Sequence, residues 1–114
     1  MHEVSIALSL LDLITTQCGR GGYHSVQSVR LRIGRASGIL AEALLFAFDV
    51  VKADTVASDA VLVIDSVSLG GLCSNCGSPF EVDEPYVLEC PRCGSGSFKI
   101  EKGYELEIIE MEVN

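Results

Sequence analysis

LGGLCSNCGSPF (69–80), followed eight residues later by ECPRCGSGSF (89–98), is the stretch on which the reading of this chain turns. It holds four of the five cysteines, Cys73, Cys76, Cys90 and Cys93, as two C-x2-C pairs thirteen residues apart, each followed by a glycine, Gly77 or Gly94. Two residues between thiols let one tight turn aim both sulfurs at a single ion, and two such turns supply a tetrahedron of four. Zinc suits that donor set best and iron second. A closed four-sulfur site leaves no position for water or substrate, so it predicts a structural rather than a catalytic metal. The glycine, cysteine and proline composition begins and ends abruptly, which marks residues 69–100 as an inserted zinc-ribbon lobe.

Outside the insert the grammar is that of helices and half-buried strands. Residues 3–18 carry Val4, Ala7, Leu8, Leu11 and Cys18 on one helical face, and Ile6, Leu10, Leu13 and Ile14 widen the apolar surface. This predicts a helix buried over much of its circumference, stopped by GRGGYH (19–24). In SVRLRIG (28–34), Val29, Leu31 and Ile33 alternate with Ser28, Arg30 and Arg32, the pattern of a strand with one buried face. Ser37 is the expected cap of a second helix from about Gly38 to Lys52, apolar nearly all round and therefore also buried. AVLVIDSV (60–67) is short, β-branched and bounded by Asp, Ser and Gly, as strands are.

After the insert, YELEIIEMEV (104–113) alternates Tyr104, Leu106 and Ile108 with Glu105 and Glu107, then shifts parity to Met111 and Val113, which predicts a bulge near Ile108. Its glutamates complement Arg30 and Arg32, so this last strand is expected to join the first sheet. The fold class is α+β: a helix-strand-helix-strand lobe with a three-stranded sheet, residues 1–68 and 101–114, interrupted by the ribbon of residues 69–100.

Composition excludes several functions. With 16 acidic residues against 8 Lys and Arg, the formal net charge of −8 repels phosphate backbones, so no nucleic acid is expected as partner. No apolar run reaches the roughly 18 residues of a membrane span, and the first ten residues lack a basic leader. A cytoplasmic protein follows, in whose reducing surroundings paired cysteines serve metals rather than disulfides. No Ser, His and Asp constellation of a hydrolase is present, so an enzyme is not expected. Cys18 lies on the apolar helix face as a small buried hydrophobe, and His24 is a solvated loop residue.

The chain begins Met1-His2-Glu3. The Met1 amine, the His2 backbone nitrogen once deprotonated and the His2 imidazole can close fused chelate rings around one ion, and Glu3 can add a carboxylate oxygen or its own backbone nitrogen. Nitrogen-rich planar geometry suits Ni(II) or Cu(II) and disfavours zinc.

These features together, MHE, a helix, a strand ending RIG, a second helix and a C-x2-C…C-x2-C insert before a final strand, resemble the HypA/HybF family of nickel–iron hydrogenase maturation nickel chaperones over essentially the whole chain. The resemblance implies that His2 and Glu3 serve a nickel site with Met1, and that Cys73, Cys76, Cys90 and Cys93 hold structural zinc. It implies Ni(II) as cargo, the hydrogenase large subunit as recipient, a nickel-insertion GTPase as partner, and urease as a further client of some members. Some relatives offer an acidic residue near the start of the second helix as an extra nickel ligand, where this chain has Leu40, with Glu42 two residues later. The apolar surplus of the first helix suits a docking face, a homodimer contact or core. The competing reading is a zinc-ribbon interaction adaptor with no nickel site, for which His2 would be dispensable.

Overall fold

A computed structural model describes residues 3–114. In chain order the elements are α1 (Glu3–Gly21), β1 (Val26–Gly34), α2 (Ala41–Val51), β2 (Val61–Val67), β3 (Leu69–Cys73), β4 (Pro79–Val82), β5 (Phe98–Lys102) and β6 (Leu106–Val113). The strands form two three-stranded sheets, in the orders β2-β1-β6 and β4-β3-β5. Two helices with two small sheets make the chain α+β, and the last strand joins the first sheet as its charges required.

Hydrogen bonds at the strand ends fix the directions in that sheet. The Val26 N–H donates to the Val56 carbonyl and the Arg35 N–H to that of Val67, so β1 and β2 run parallel, joined by the crossover helix α2. The Asn114 N–H donates to the Ser25 carbonyl and the Gly34 N–H to that of Glu105, so β6 runs antiparallel to β1.

The chain divides into two compact units, one comprising the chain through Leu31 with Ile39–Ile64 and Ile108–Asn114, the other Arg32–Gly38 with Asp65–Glu107. In the first, α1 packs on α2 and buries a single stripe, Ile6, Ala7, Leu10, Ile14 and Cys18. α2 likewise buries Leu44, Ala47 and Phe48, and Val26, Val29 and Leu31 of β1 are buried as well. The expectation that the first helix is buried over much of its circumference and that the second, apolar nearly all round, is buried too is therefore corrected. Val4, Leu8 and Leu13 are about half exposed, while Phe46 and Val50 are 73% and 61% exposed. Each helix buries one stripe and leaves the rest of its apolar residues open to solvent, as a helix at the surface of a small unit does.

The helix ends also differ from expectation. α1 runs on to Gly21 and ends in a Schellman motif: Gly22 takes φ +72°, the Tyr23 N–H donates to the Cys18 carbonyl at 3.0 Å, and the Gly22 N–H to that of Gly19 at 3.3 Å. α2 starts at Ala41, and its N-cap is Leu40 rather than Ser37, with extended φ −86° and ψ 113° and no side-chain cap of its own. At the other end Lys52 reaches Asp49 and the Ala60 carbonyl.

The paired charges of the sheet are present, Arg30 with Glu110 at 3.0 Å in the first unit and Arg32 with Glu107 at 2.9 Å in the second. Both are solvent-exposed and contribute at most about 1 kcal/mol each, so they fix register more than stability. Along β6, Ile108, Met111 and Val113 are half buried and Ile109 and Glu110 both face out, so the inward parity does change after Ile108. Leu106, expected inside, is 45% exposed.

In the second unit β3 is the central strand, with Leu69 opposite Val82 and Leu72 opposite Pro79 on one side, and Gly71 opposite Ile100 and Cys73 opposite Phe98 on the other. Phe80 and Phe98 meet edge to face at 5.8 Å, and Lys102 pairs with Glu81, which holds that carboxyl below its ordinary range. Among the described residues of 69–100, the only buried apolar side chains are Leu69, Cys73 and Cys90. So thin a core calls for a covalent or metal staple.

Candidate metal centre

The staple is built from two copies of one loop, CSNCGS (73–78) and CPRCGS (90–95). In the first, the Cys73 N–H donates to the Ser78 carbonyl at 3.0 Å and the Gly77 N–H to the Cys73 carbonyl at 3.0 Å; in the second, the Cys90 N–H donates to the Ser95 carbonyl at 2.7 Å and the Gly94 N–H to the Cys90 carbonyl at 2.9 Å. Gly77 and Gly94 take φ +71° and +78° at equivalent places, a backbone shape that costs a side-chain-bearing residue roughly 1–2 kcal/mol. The six-residue repeat was there to be read in the sequence, and it explains why a glycine and a serine follow each cysteine pair.

Each turn also points backbone N–H groups at sulfur. The Cys76 N–H lies 3.4 Å from the Cys73 Sγ and the Arg92 N–H 3.4 Å from the Cys90 Sγ, while the Asn75 amide crosses to the Cys93 Sγ at 3.7 Å. All four sulfurs lie within 4.8 Å of one another, with Cys73 and Cys93 at 3.5 Å and Cys76 and Cys90 at 3.9 Å. A disulfide needs about 2.05 Å. Four sulfurs at about 2.3 Å around one tetrahedral ion would stand about 3.8 Å apart, so the donor set fits a single metal ion. Cys73 and Cys90 are buried, and Cys76 and Cys93 are exposed.

Protonation points the same way. The Ser78 backbone N–H and hydroxyl lower the Cys76 thiol to about 6, and the Ser95 N–H and Asn75 amide hold Cys93 below the ordinary thiol range. At Cys73 the Cys76 N–H favours the thiolate most, but burial and hydrogen bonds shared with Cys93 and Cys76 outweigh it and push the thiol up to about 11. Four thiolates this close repel one another, and a cation among them removes the conflict.

Met1 and His2 lie outside the described residues, so of the N-terminal trio only Glu3 is placed. Its Oε2 accepts a hydrogen bond from the Leu40 N–H at 3.2 Å, which brings the first turn of α1 to the start of α2, and Glu42 stands in the first turn of that helix. Sequence reading gave Glu3 to a metal and missed this contact. Its local sign was the absence of Ser, Thr, Asp or Asn at residue 40, where α2 needs a cap. Cys18 is buried and its thiol donates to the Tyr23 carbonyl at 3.4 Å, while His24 is exposed in the loop after α1. No described helix is long and apolar enough to cross a membrane.

Fold and site define a small metal-binding protein with a helical unit and a zinc-ribbon-like unit built on four cysteines. The family described as hydrogenase/urease nickel incorporation, metallochaperone, hypA matches residues 1–113. The hydrogenase maturation factor HypA of a Synechococcus strain is 38% identical over 113 residues, covering 99% of both chains. That of Chlorobium luteolum is 41% identical over 108 residues, covering 95% of this chain and 92% of its own. The solution structure of the nickel metallochaperone HypA from Helicobacter pylori superposes with a TM-score of 0.70 at 25% identity, covering 99% of this chain and 97% of the other. The chain belongs to the HypA family of nickel metallochaperones.

Proposed function

We propose that this chain binds Ni(II) through Met1, His2 and Glu3 and delivers it to the large subunit of nickel–iron hydrogenase, acting with a nickel-insertion GTPase in the cytoplasm, while Cys73, Cys76, Cys90 and Cys93 hold one zinc ion. Urease is a further client on this reading. The observation that carries it is the family match over residues 1–113, which takes in both the MHE start and the cysteine tetrad. Residues 1–68 and 101–114 form the nickel lobe of the proposal and residues 69–100 the zinc lobe.

Zinc supplies cross-linking and no reaction step. It would be held by thiolates that the turn N–H groups already favour, and it would stand in for the missing hydrophobic core of the ribbon. Nickel is cargo and needs the opposite treatment, a site selective enough to load and open enough to release. An imidazole and main-chain nitrogens at the start of the chain can exchange ligands one at a time. Copper binds such donors more tightly, so selectivity rests on metal supply and on docking to the recipient.

The test is a calorimetric nickel titration of untagged protein beside the His2→Ala variant, with elemental analysis of both. His2→Ala should lose nickel uptake and keep about one zinc per chain. An untagged wild type that takes up no nickel leaves the zinc-ribbon adaptor as the function.

A further inference from the structure

We infer that the groove between α1 and α2 in the first unit is a docking site for a basic amphipathic helix of a partner protein. It is an open cavity of about 370 Å³ whose lining includes Val4 from α1 and Ala43, Phe46 and Val50 from α2, with Glu3 at one end. Phe46 and Val50 stand mostly out in solvent, and Leu8 continues the wall one turn after Val4. A side chain as large as phenylalanine, left 73% exposed in the middle of a helix, contributes little to this fold. Contiguous exposed apolar side chains on two neighbouring helices instead make a surface into which a third helix can set its own.

The charge around the groove selects the partner. On α2 the helical positions beyond Phe46 and Val50 are Glu42 and Asp49, and on α1 the position beyond Leu8 is Asp12. Asp49 pairs with Lys52, and Glu3 bonds the Leu40 N–H. Glu42 and Asp12 complete an edge on which the charged side chains that α1 and α2 place next to the apolar wall are acidic, with Lys52 just past the far end of α2. Arg20 stands three turns further along α1, away from the groove. In a chain of net charge −8 this edge repels a second copy of itself. A helix with large apolar residues at i, i+4, i+7 and i+11 and Lys or Arg alongside them meets apolar wall with apolar face and acid with base.

Because Glu3 lies at one end of the groove, an occupant would sit beside the start of the chain, where the proposed function loads nickel. The inference deepens that reading by naming the surface through which a nickel-exchanging partner is held.

The experiment titrates zinc-loaded, isotope-labelled protein with a synthetic 18-residue helical peptide carrying four leucines in that spacing and six lysines, followed by NMR. Controls are a scrambled peptide of the same composition and a peptide with glutamate in place of lysine. The helical basic peptide should shift amides of residues 3–12 and 42–51, and its affinity should fall at least tenfold with Phe46→Ser and several-fold between 50 and 300 mM NaCl. Phe46→Ser should keep its melting temperature and zinc content, since the ring is exposed. Equal binding by the scrambled peptide, or no effect of Phe46→Ser or Val50→Ser, overturns the inference. So does a dimer in sedimentation that Phe46→Ser dissociates, because a second copy would then be the occupant. Nickel uptake measured on the same Phe46→Ser protein should match the wild type. If neither protein binds nickel while the peptide result stands, the nickel reading fails and the groove remains.

Discussion

Glu3 caps α2 before any metal is considered. Its carboxylate takes the Leu40 N–H at 3.2 Å, thirty-seven positions away in sequence, at a helix start whose own N-cap offers no side-chain acceptor. Such a cap is worth about 0.5–2 kcal/mol, and a carboxylate near a helix N-terminus gains a little more from the helix dipole. Glu3→Gln keeps an acceptor oxygen and loses the charge, whereas Glu3→Ala loses both. Glu3→Ala should therefore lower thermal stability by roughly 1 kcal/mol and Glu3→Gln by less than half of that, checked by urea unfolding. If the carboxylate stays on Leu40, Glu3 can still serve nickel through its main-chain nitrogen, so Glu3→Gln should weaken nickel uptake less than His2→Ala does. Uptake itself should strengthen as pH rises through the imidazole range and beyond, because imidazole, amine and amide nitrogens all lose protons to coordinate. An affinity flat between pH 6 and 8.5 would falsify nitrogen coordination at this end. At this scale the sequence shows what lies within one turn of chain. The pairing of two cysteines within each C-x2-C turn is local and so was legible, and two matching turns implied one shared ion. The Glu3 to Leu40 bond exists only after two helices have met, and nothing near residue 3 announces it.

At the scale of elements, strands were easier to read than helix faces. Alternation along β1 put Val29, Leu31 and Ile33 inside and they are buried, because a two-residue period leaves only two faces to choose between. The apolar run of α2 gave no such choice. Which of its residues are covered depends on where α1 and the sheet lie, and Phe46, as apolar as Phe48, ends on the open side. Ser37 was misread for a related reason: Gly38, at φ +81°, turns the chain before the helix begins, which moves the start of α2 past the serine. The strand β6 offers the sharpest test of the assembled sheet. Truncation after Ile100 removes the half-buried Ile108, Met111 and Val113 together with Glu107 and Glu110, the partners of Arg32 and Arg30. At half burial each apolar side chain supplies on the order of 1 kcal/mol, a loss of a few kcal/mol from a small domain whose total is about 5–10. The truncated chain should melt well below the intact one with reduced helical circular dichroism, and retention of the native melting curve would contradict the pairing of β6 with β1.

For the molecule as a whole, the two units differ in what holds them. The first has a hydrophobic core from both helices and the sheet, with Phe48, Ile14, Leu31 and Leu44 fully buried. The ribbon has Leu69, two cysteines and the edge-to-face pair of Phe80 and Phe98, which by area alone cannot offset the ordering of some thirty residues. Metal removal should accordingly separate them. A strong chelator at pH 7, or the Cys73→Ser, Cys90→Ser double variant, should collapse amide dispersion for residues 70–100 while α1 and α2 keep their helical signals. Acid should do the same, because protons compete with the metal for thiolates: as pH falls, metal should leave the ribbon before the helical unit melts. The sign follows from the chemistry of the donors, since binding releases whatever protons the thiols carry, and in acid up to four protons must return as the metal leaves. Elemental analysis of the wild type should give about one zinc per chain. Zinc undiminished in the double variant would place the ion elsewhere, and loss of the helical signals together with the ribbon would show that the core described for α1 and α2 cannot stand without the metal.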